Sequence, residues 1–309
     1  MTKIDLVTGF LGAGKTTFIY HYVDYLLKQG KKVGIIENDF GPINVDMMLL
    51  RGHFGDRCQL EMVAGDKDHA TYQRRFRTKL IALGMQNFDV ILVEPSGLFD
   101  VDDFFDLLYE QPLNSWYQIG NVFTLVEANL DENLSKNSRY ILASEIANAG
   151  IVLVTKCENQ TATQFQNLKK YLNKALKENK CPRELDLDLR MIDYNKMDTN
   201  KWAELSRCGY HSYPYMKRGI NLSSNYQSYF FMNLNLTLEK VKALIETLFT
   251  SSHEGTIYRI KGFVLEDNKW YEYNATKQEC LIQPILVGQD LMIIIGENLK
   301  QEEIEKIIR

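Results

Sequence analysis

The chain has 309 residues, of which 45% are hydrophobic and 25% charged, and its formal net charge is −4. This length predicts a large core divided between two domains, and the charge gives no electrostatic basis for binding nucleic acid or an anionic membrane. No apolar run approaches the ~18 residues that cross a bilayer. The five cysteines form no C-x-x-C pair, which argues against a disulfide framework. We expect a cytoplasmic protein without a signal peptide.

The first two hundred residues alternate between predicted strands and helices. Strands are predicted at residues 4–7, 32–36, 88–93, 121–126 and 151–154, with helices at 17–27, 74–85 and 165–176. The strand at 88–93 is a near-continuous apolar run, as expected in a parallel sheet covered on both faces. The alternation predicts an α/β fold with a doubly wound, mainly parallel sheet that binds ligands at the carboxyl ends of its strands.

The segment between the first strand and the first helix has the pattern G-x-x-x-x-G-K-[ST], which is typical of a phosphate-binding loop. It reads GFLGAGKTT over residues 9–17. Backbone N–H groups of such a loop point at phosphates, and the following helix N-terminus adds partial positive charge. Lys15 is predicted to reach the β/γ-phosphates, Thr16 to ligate Mg²⁺ and Thr17 to touch the α-phosphate. The other predicted nucleotide contacts are those of Gly9, Gly12, Ala13 and Gly14. A glycine-rich turn with a chance lysine is the alternative.

Acidic residues follow the second and third predicted strands. Glu94-Pro95-Ser96-Gly97 places an acid where it can hold Mg²⁺ through water or orient the attacking water. Gly97 would let the backbone approach the γ-phosphate. Glu37 and Asp39 are switch candidates whose geometry would change when the γ-phosphate leaves. The predicted catalytic residues are therefore Lys15, Asp39 and Glu94, unless these acids are merely solvated strand ends.

The strand at 151–154 ends in Thr155-Lys156-Cys157-Glu158, which is similar to the guanine-reading N-K-x-D element of GTPases. The Lys156 stem can pack on the purine face, and the Glu158 carboxylate can accept from N1–H and N2–H₂ of guanine. Adenine lacks this pair of donors, so the segment predicts GTP and GDP as ligands. Thr155 replaces the Asn and Glu158 the Asp, and an ordinary strand-end turn stays open.

Beyond the first two hundred residues the pattern changes. Residues 206–228 lack clear periodicity, which predicts a connector between a domain at 1–205 and another at 229–309. The second domain is predicted to be a small α+β fold. Its predicted strands are 229–236, 256–265, 269–273 and 291–295, and its helices are 238–249 and a last one from residue 301.

Together these segments resemble the CobW-type GTPases, relatives of the UreG and HypB metallochaperones. The resemblance rests on residues 9–17, on Glu37-Asn38-Asp39-Phe40-Gly41, and on residues 94–97 and 155–158; residues 258–263 are similar to the CobW C-terminal domain. It implies slow, Mg²⁺-dependent GTP hydrolysis coupled to metal delivery or to insertion of a metallocofactor such as cobalamin. The implied partner is a client metalloprotein or corrinoid protein, and a homodimer is a further expectation.

One family element is altered. The family's Cys-x-Cys-Cys, used to bind Zn²⁺ or another transition metal, is here Cys58-Gln59-Leu60-Glu61. We expect any site for Zn²⁺ or Co²⁺ built from Glu37, Cys58 and Glu61 to be weak, because two thiolates are lost. Further candidate ligands are His53, Asp66 and His69. The loss leaves open a regulatory or scaffolding relative that binds GTP or GDP without delivering metal. An ATP-dependent enzyme that keeps only the phosphate loop is a second alternative.

Overall fold

The computed structural model divides the chain into two units, residues 1–220 and residues 221–309. It describes residues 1–39, 45–64, 69–95, 101–158, 160–217, 226–251, 255–286 and 288–308. Within those ranges, no helix combines the length and the apolar character needed to cross a membrane.

The first unit is built on a parallel sheet flanked by helices. Its described strands are β1 (Thr2–Gly9), β2 (Val33–Asp39), β3 (Gln59–Ala64), β4 (Val90–Glu94), β5 (Tyr117–Glu127), β6 (Ile151–Thr155) and β7 (Leu189–Met191). Its described helices are α1 (Lys15–Lys28), α2 (Val45–Phe54), α3 (His69–Gly84), α4 (Val101–Tyr109), α5 (Leu113–Trp116), α6 (Lys136–Asn148), α7 (Ala162–Glu178) and α8 (Thr199–Leu205). The strands lie in the order β3-β2-β4-β1-β5-β6-β7, and every neighbouring pair is parallel.

The predicted α/β fold with a doubly wound, mainly parallel sheet is confirmed. All five residues of β4 and all five of β6 are buried, as their apolar runs predict for strands covered on both faces. Helix α1 is longer at both ends than the predicted 17–27, and α3 begins earlier than the predicted 74–85. Strands β3 and β7 were not predicted from the sequence.

A cluster of aromatic side chains fixes α1 against the sheet. Phe18 and Tyr22 on α1 are fully buried, and the Phe18 ring centroid lies 4.9 Å from that of Phe123 on β5. Trp202 on α8 closes the cluster, with its ring centroid 5.8 Å from that of Phe18. Buried aromatic pairs contribute beyond the area they bury, so the start of α1 is held firmly at the carboxyl end of β1.

The described part of the second unit is a five-stranded antiparallel sheet with two helices. The strands are β8 (Tyr226–Met232), β9 (Thr256–Glu266), β10 (Lys269–Ala275), β11 (Cys280–Ile285) and β12 (Leu291–Glu297), in the order β11-β10-β9-β12-β8. The helices are α9 (Leu238–Thr250) and α10 (Gln301–Ile308). The predicted smaller α+β domain is therefore confirmed as a fold.

Two local features of the second unit differ from or add to the sequence prediction. Strand β8 begins at Tyr226, so residues 226–228 of the predicted connector belong to a strand. The start of this strand was not predicted because Gln227 is polar. In the structure, the Gln227 side chain accepts a hydrogen bond from the Leu299 N–H at 2.7 Å. Strands β9 and β10 are joined by Asp267 and Asn268, both with positive φ, as in the tight turns that suit the twist of a hairpin.

Candidate nucleotide-binding site

The loop between β1 and α1 has the backbone conformation that its glycines allow. Gly9, Gly12 and Gly14 have φ angles of 143°, 84° and 81°. A Cβ on Gly9 would lie 2.4 Å from the Leu125 carbonyl oxygen, so a larger residue there would force the backbone apart. Inside the loop, the Ala13 N–H donates to the Phe10 carbonyl at 3.1 Å. The result is a compact turn that leads directly into a helix N-terminus.

The start of α1 concentrates positive charge at this loop. Gly14 is the N-cap and has no side chain to satisfy the first amides, and the first turn contains no acidic residue. Lys15 is buried, with its Nζ donating to the Gly9 carbonyl at 2.9 Å. A helix N-terminus without a side-chain cap, together with an ammonium group, suits an anion such as a phosphate. Thr16 is half-buried and Thr17 exposed, so both hydroxyls stand in the first turn beside this anion site.

Thr155 ties the loop to the end of β6. Its Oγ1 donates to the Ala13 carbonyl at 2.9 Å, and the side chain is buried. From the sequence, Thr155 was identified only as a replacement for Asn, and this contact was not predicted. A hydroxyl can make the same kind of hydrogen bond to the loop as an amide, so the change of residue type preserves a link between the two segments.

Two buried carboxylates lie side by side near the loop. Glu37 on β2 and Glu94 on β4 are paired in register, and both are buried. Alternation along the strands puts them on the face that holds Val33, Ile35 and Leu92, which pack in the same core cluster as α1. Asp39 is the last residue of β2, whereas Gly97 lies outside the described residues. Hydroxyl and carboxylate oxygens are the ligands that Mg²⁺ prefers, so Thr16 and Glu94 fit this ion chemically.

The ends of β5 and β6 hold the predicted guanine-reading residues. Lys156 adopts a left-handed φ of 53° directly after β6. Its Nζ lies 3.4 Å from the Glu127 Oε1 at the end of β5, and Glu127 is buried. Glu158 is exposed two residues further on. Lys156 and Glu158 thus lie at the carboxyl ends of the strands, as the phosphate loop does.

Cys58 lies at the opposite end of the parallel strands, their amino end. It directly precedes β3, and its Sγ donates to the carbonyl of Val33, the first residue of β2, at 3.3 Å. Val33 and Glu37 are four residues apart on one strand, roughly 13 Å at ~3.3 Å per residue. Burial raises the pKa of the Cys58 thiol to about 12. The metal-binding form of cysteine is the thiolate, and burial disfavours that form here.

Glu61 is also separated from Glu37, because it lies on the opposite face of the sheet. Its register partner on β2 is Ile36, and its Oε2 lies 2.7 Å from the Lys79 Nζ on α3. Partial burial by itself would raise the pKa of Glu61, but the hydrogen bonds from Lys79 and Gln59 outweigh burial and lower it. The structure therefore does not bring the predicted set of Glu37, Cys58 and Glu61 together.

The remaining metal candidates do not complete such a site. The His53 ring lies against the Tyr20 ring, with centroids 4.0 Å apart and planes tilted by 36°, and burial together with the nearby Arg57 lowers the pKa of His53. Asp66 lies outside the described residues, and His69 is the first residue of α3. Among the residues that the structure describes, no three His, Cys, Asp or Glu side chains are grouped as metal ligands.

One buried carboxyl group beside the loop was not predicted from the sequence. Glu145 on α6 is fully buried, and the Gly9 N–H donates to its Oε1 at 3.4 Å. Burial raises the pKa of Glu145 to about 8, although the charge of Lys15 and the Gly9 N–H act in the opposite direction. No motif marks this position, since it lies inside a helix far along the chain from residues 9–17.

The family of the chain follows from a match over more than half of its length. Residues 3–182 match the model of the CobW/HypB/UreG nucleotide-binding domain. The chain therefore belongs to the CobW/HypB/UreG family of P-loop GTPase domains. The predicted resemblance to CobW-type GTPases is confirmed at this level, and the phosphate loop and both acids of the Glu37–Glu94 pair lie within the matched region.

Three curated relatives are named as zinc chaperones. Zinc chaperone YjiA of Escherichia coli K12 is 30% identical over 164 residues, which are 50% of this chain and 49% of the relative. Zinc chaperone YeiR of the same organism is 27% identical over 174 residues, 55% of this chain and 51% of the relative. Zinc chaperone CobW of Pseudomonas aeruginosa is 42% identical over 104 residues, 31% of this chain and 27% of the relative. The chain spans about half the length, or less, of the curated relatives it matches.

The chain is also similar to a solved structure. The Zn(II)-bound YjiA GTPase from E. coli is 17% identical, with 99% of this chain and 97% of that chain covered and a TM-score of 0.38.

Proposed function

We propose that this chain is a Mg²⁺-dependent GTP-binding protein that hydrolyses GTP slowly and assists the handling of a metal or metallocofactor by a client protein. The observation that carries the nucleotide part is the loop itself. Its glycines take up left-handed conformations, its lysine is buried and hydrogen-bonded to the loop, and a 14-residue helix with uncapped amides follows it.

Each neighbouring residue has a proposed task. The amides of residues 12–15 cradle the phosphates, and the Lys15 ammonium stabilises the negative charge of the β/γ oxygens. Thr16 and Glu94 would hold Mg²⁺, which when bound neutralises charge that develops on the transferred phosphoryl group. Glu37, the register neighbour of Glu94, and Asp39 respond to the presence of the γ-phosphate. Catalysis on this plan is positioning and charge stabilisation, which accounts for a slow reaction in the absence of a partner.

The guanine preference is a separate part of the proposal. Lys156 is held at the carboxyl edge by its ion pair with Glu127, and its left-handed backbone turns the chain toward Glu158. The Glu158 carboxylate is exposed, so it can accept hydrogen bonds from the two donor groups of guanine. We assign the base to the ends of β5 and β6 on this ground.

The metal-handling part rests on family membership and on the zinc chaperones among the relatives. Zn²⁺ or Co²⁺ would be cargo, and the client a metalloprotein or a corrinoid protein. The thiol chemistry of Cys58 opposes a soft metal site at this position. That observation favours a second candidate, a regulatory or scaffolding protein that binds GTP or GDP without delivering metal.

Two calorimetric titrations test the proposal. In the first, GTP and ATP are titrated into the protein with Mg²⁺; we expect GTP to bind more tightly, and equal affinities would contradict guanine readout. In the second, Zn²⁺ and Co²⁺ are titrated with and without GTP. Stoichiometric metal binding that depends on GTP supports metal handling, whereas its absence selects the regulatory candidate.

A further inference from the structure

Glu145 is a buried acid that touches the phosphate loop and has no task in the proposed reaction. The Gly9 N–H donates to its Oε1 at 3.4 Å, and the Gly9 carbonyl accepts from the Lys15 Nζ at 2.9 Å. One residue of the loop therefore connects the acid on α6 to the ammonium group that faces the phosphates. This connection places Glu145 behind the loop, where a negative charge would act on both Lys15 and a bound phosphate.

The surroundings of Glu145 disfavour that charge. Within the described part of the chain its Oε2 has no hydrogen-bond partner, and the side chain is closed off from solvent. A buried carboxylate without full hydrogen bonding is strongly disfavoured and takes up a proton instead. Burial accordingly raises the pKa of Glu145 to about 8. By this value roughly nine in ten molecules carry the neutral acid at pH 7 and roughly one in ten at pH 9.

Among the described residues, Arg183 contacts the end of α6, where its Nη1 donates to the Ile146 carbonyl, and helix α4, which carries Asp102 and Asp106, also packs on α6. On β1 and β5, Thr8 and Thr124 carry neutral hydroxyls that lie 2.8 Å apart, and the Thr124 Oγ1 donates to the backbone carbonyl of Glu145. Lys15 on α1 is the charged group that acts on the acid. The ion pair that α6 makes with α7, between Arg139 and Glu178, lies in the partly exposed layer. The charge state of Glu145 is therefore coupled mainly to the phosphate loop.

We propose that Glu145 is a positioning residue of the phosphate loop, which holds nucleotide phosphates well only while Glu145 is a neutral acid. The neutral group accepts the Gly9 N–H and leaves the Lys15 charge available to phosphate. The ionised group would attract Lys15 from behind the loop and repel the phosphates. This inference rests on the proposed nucleotide-binding function and makes it depend on the protonation state of Glu145.

The direction of the pH effect follows from linkage. A bound phosphate brings negative charge close to Glu145, which raises the pKa of that acid further. Nucleotide binding then takes up a proton, so affinity is full below the pKa of the free protein and falls as pH rises through it. If only the neutral form binds, the apparent affinity scales with the neutral fraction. The expected fall between pH 7 and pH 9 is about tenfold.

The test uses the full-length protein, GDP and Mg²⁺. The affinity for GDP is measured by calorimetry from pH 7 to pH 9, a range in which the terminal phosphate, with a pKa of about 6, is already ionised. The variants are Glu145→Gln, whose amide mimics the neutral acid, and Glu184→Gln, which changes an exposed acid before β7. Subtracting the Glu145→Gln profile cancels titration of the nucleotide itself.

We expect the wild type and Glu184→Gln to lose about tenfold in affinity across this range, while Glu145→Gln matches the wild type at pH 7 and stays within about twofold. A Glu145→Gln profile that falls as steeply as the wild-type profile overturns the inference, and so does a flat wild-type profile.

A second measurement needs no variant and therefore does not depend on how Glu145→Gln folds. Titrations of GDP into the wild type at pH 8.5, in buffers with different ionisation enthalpies, count the protons taken up on binding. We expect roughly three-quarters of a proton, the ionised fraction of an acid with a pKa of about 8. Binding without proton uptake contradicts the role of Glu145 but leaves the proposed function intact. A folded wild type that binds no GDP at any pH contradicts the proposed function itself.

Discussion

In residues 1–220, the phosphate loop at the carboxyl end of the parallel strands and Cys58 at their amino end differ in the chemistry of their buried side chains. At the carboxyl end, Lys15, Glu37 and Glu94 are all buried beside the phosphate loop. At the amino end, the polar group of Cys58 is a thiol kept neutral by burial and hydrogen-bonded to a strand carbonyl. Perturbed buried ionisable groups cluster at functional sites, so this grouping supports the proposed nucleotide site at the carboxyl end.

The surroundings of Cys58 do not favour a metal ion. A cavity of about 430 Å³ lies beside Cys58, and its charged lining residues are three cations, Lys32, Arg51 and Arg57, and one acid, Asp56. Those cations would disfavour a divalent metal ion nearby. The surroundings of Cys58 are thus mainly basic, and its thiol is buried. Four predictions probe this contrast between the two ends.

The largest expected effect is on thiol reactivity. Cys58 should react with iodoacetamide at pH 8 more than about a hundredfold more slowly than the exposed Cys280, because the thiolate is the nucleophile and burial suppresses it. Peptide mass spectrometry of partly labelled protein measures both rates. In denaturant the two residues should react alike. Similar rates in the folded protein would contradict the buried, inert thiol.

The next effect concerns the base. Glu158→Ala should lower the preference for GTP over ATP by roughly tenfold, because hydrogen bonds to a charged acid contribute ~1.5–3 kcal/mol. Glu158→Asp, which restores the shorter acid, is the matched variant and should retain the preference. The measurement is the ratio of the two affinities by calorimetry. A ratio that does not move in Glu158→Ala places the base elsewhere.

A smaller effect is expected from the link between β6 and the loop. Thr155→Val removes the hydroxyl that bonds to the Ala13 carbonyl while keeping the shape of the side chain. A buried hydrogen bond of this kind contributes ~0.5–1.5 kcal/mol, so we expect GTP affinity to fall a few-fold. Thr155→Ser keeps the hydroxyl and should bind like the wild type. Identical behaviour of the valine and serine variants would show that this bond does not shape the loop.

The smallest effect is expected at the amino end. Cys58→Ser should change the rate of GTP hydrolysis by less than about twofold, because the residue lies roughly 13 Å along β2 from Glu37. The metal content of purified protein, measured by elemental analysis, should also be unchanged. A tightly bound transition metal that disappears in Cys58→Ser would return metal binding to this position and weaken the contrast between the two ends.

Much of the fold could be predicted from the sequence, because continuous apolar runs and glycine patterns are local signals. The runs at 88–93 and 151–154 became β4 and β6, and the loop at 9–17 lies between a strand and a helix as its pattern requires. Strand β3 was missed because Gln59 and Glu61 interrupt its apolar residues, and Glu61 is satisfied by Lys79, which is distant in sequence. Strand β7 has three residues and is too short to give a period.

The site was only partly predictable, for a related reason. Residues carried by a contiguous motif, such as Lys15 and Lys156, could be named from their spacing. The contacts that connect them could not, since the bonds of Thr155 to Ala13 and of Gly9 to Glu145 join residues more than a hundred positions apart. The proposed metal set failed to assemble because alternation sends Glu37 and Glu61 to opposite faces.

The most direct test of the account is the affinity of GTP for Lys15→Ala in the presence of Mg²⁺. We expect a loss of at least tenfold with unchanged thermal unfolding, because one charge-assisted contact to phosphate contributes ~1.5–3 kcal/mol. Lys170→Ala, which changes an exposed lysine on α7, is the control and should bind GTP like the wild type. A folded Lys15→Ala protein that binds GTP as tightly as the wild type would contradict the assignment of function to this end of the sheet.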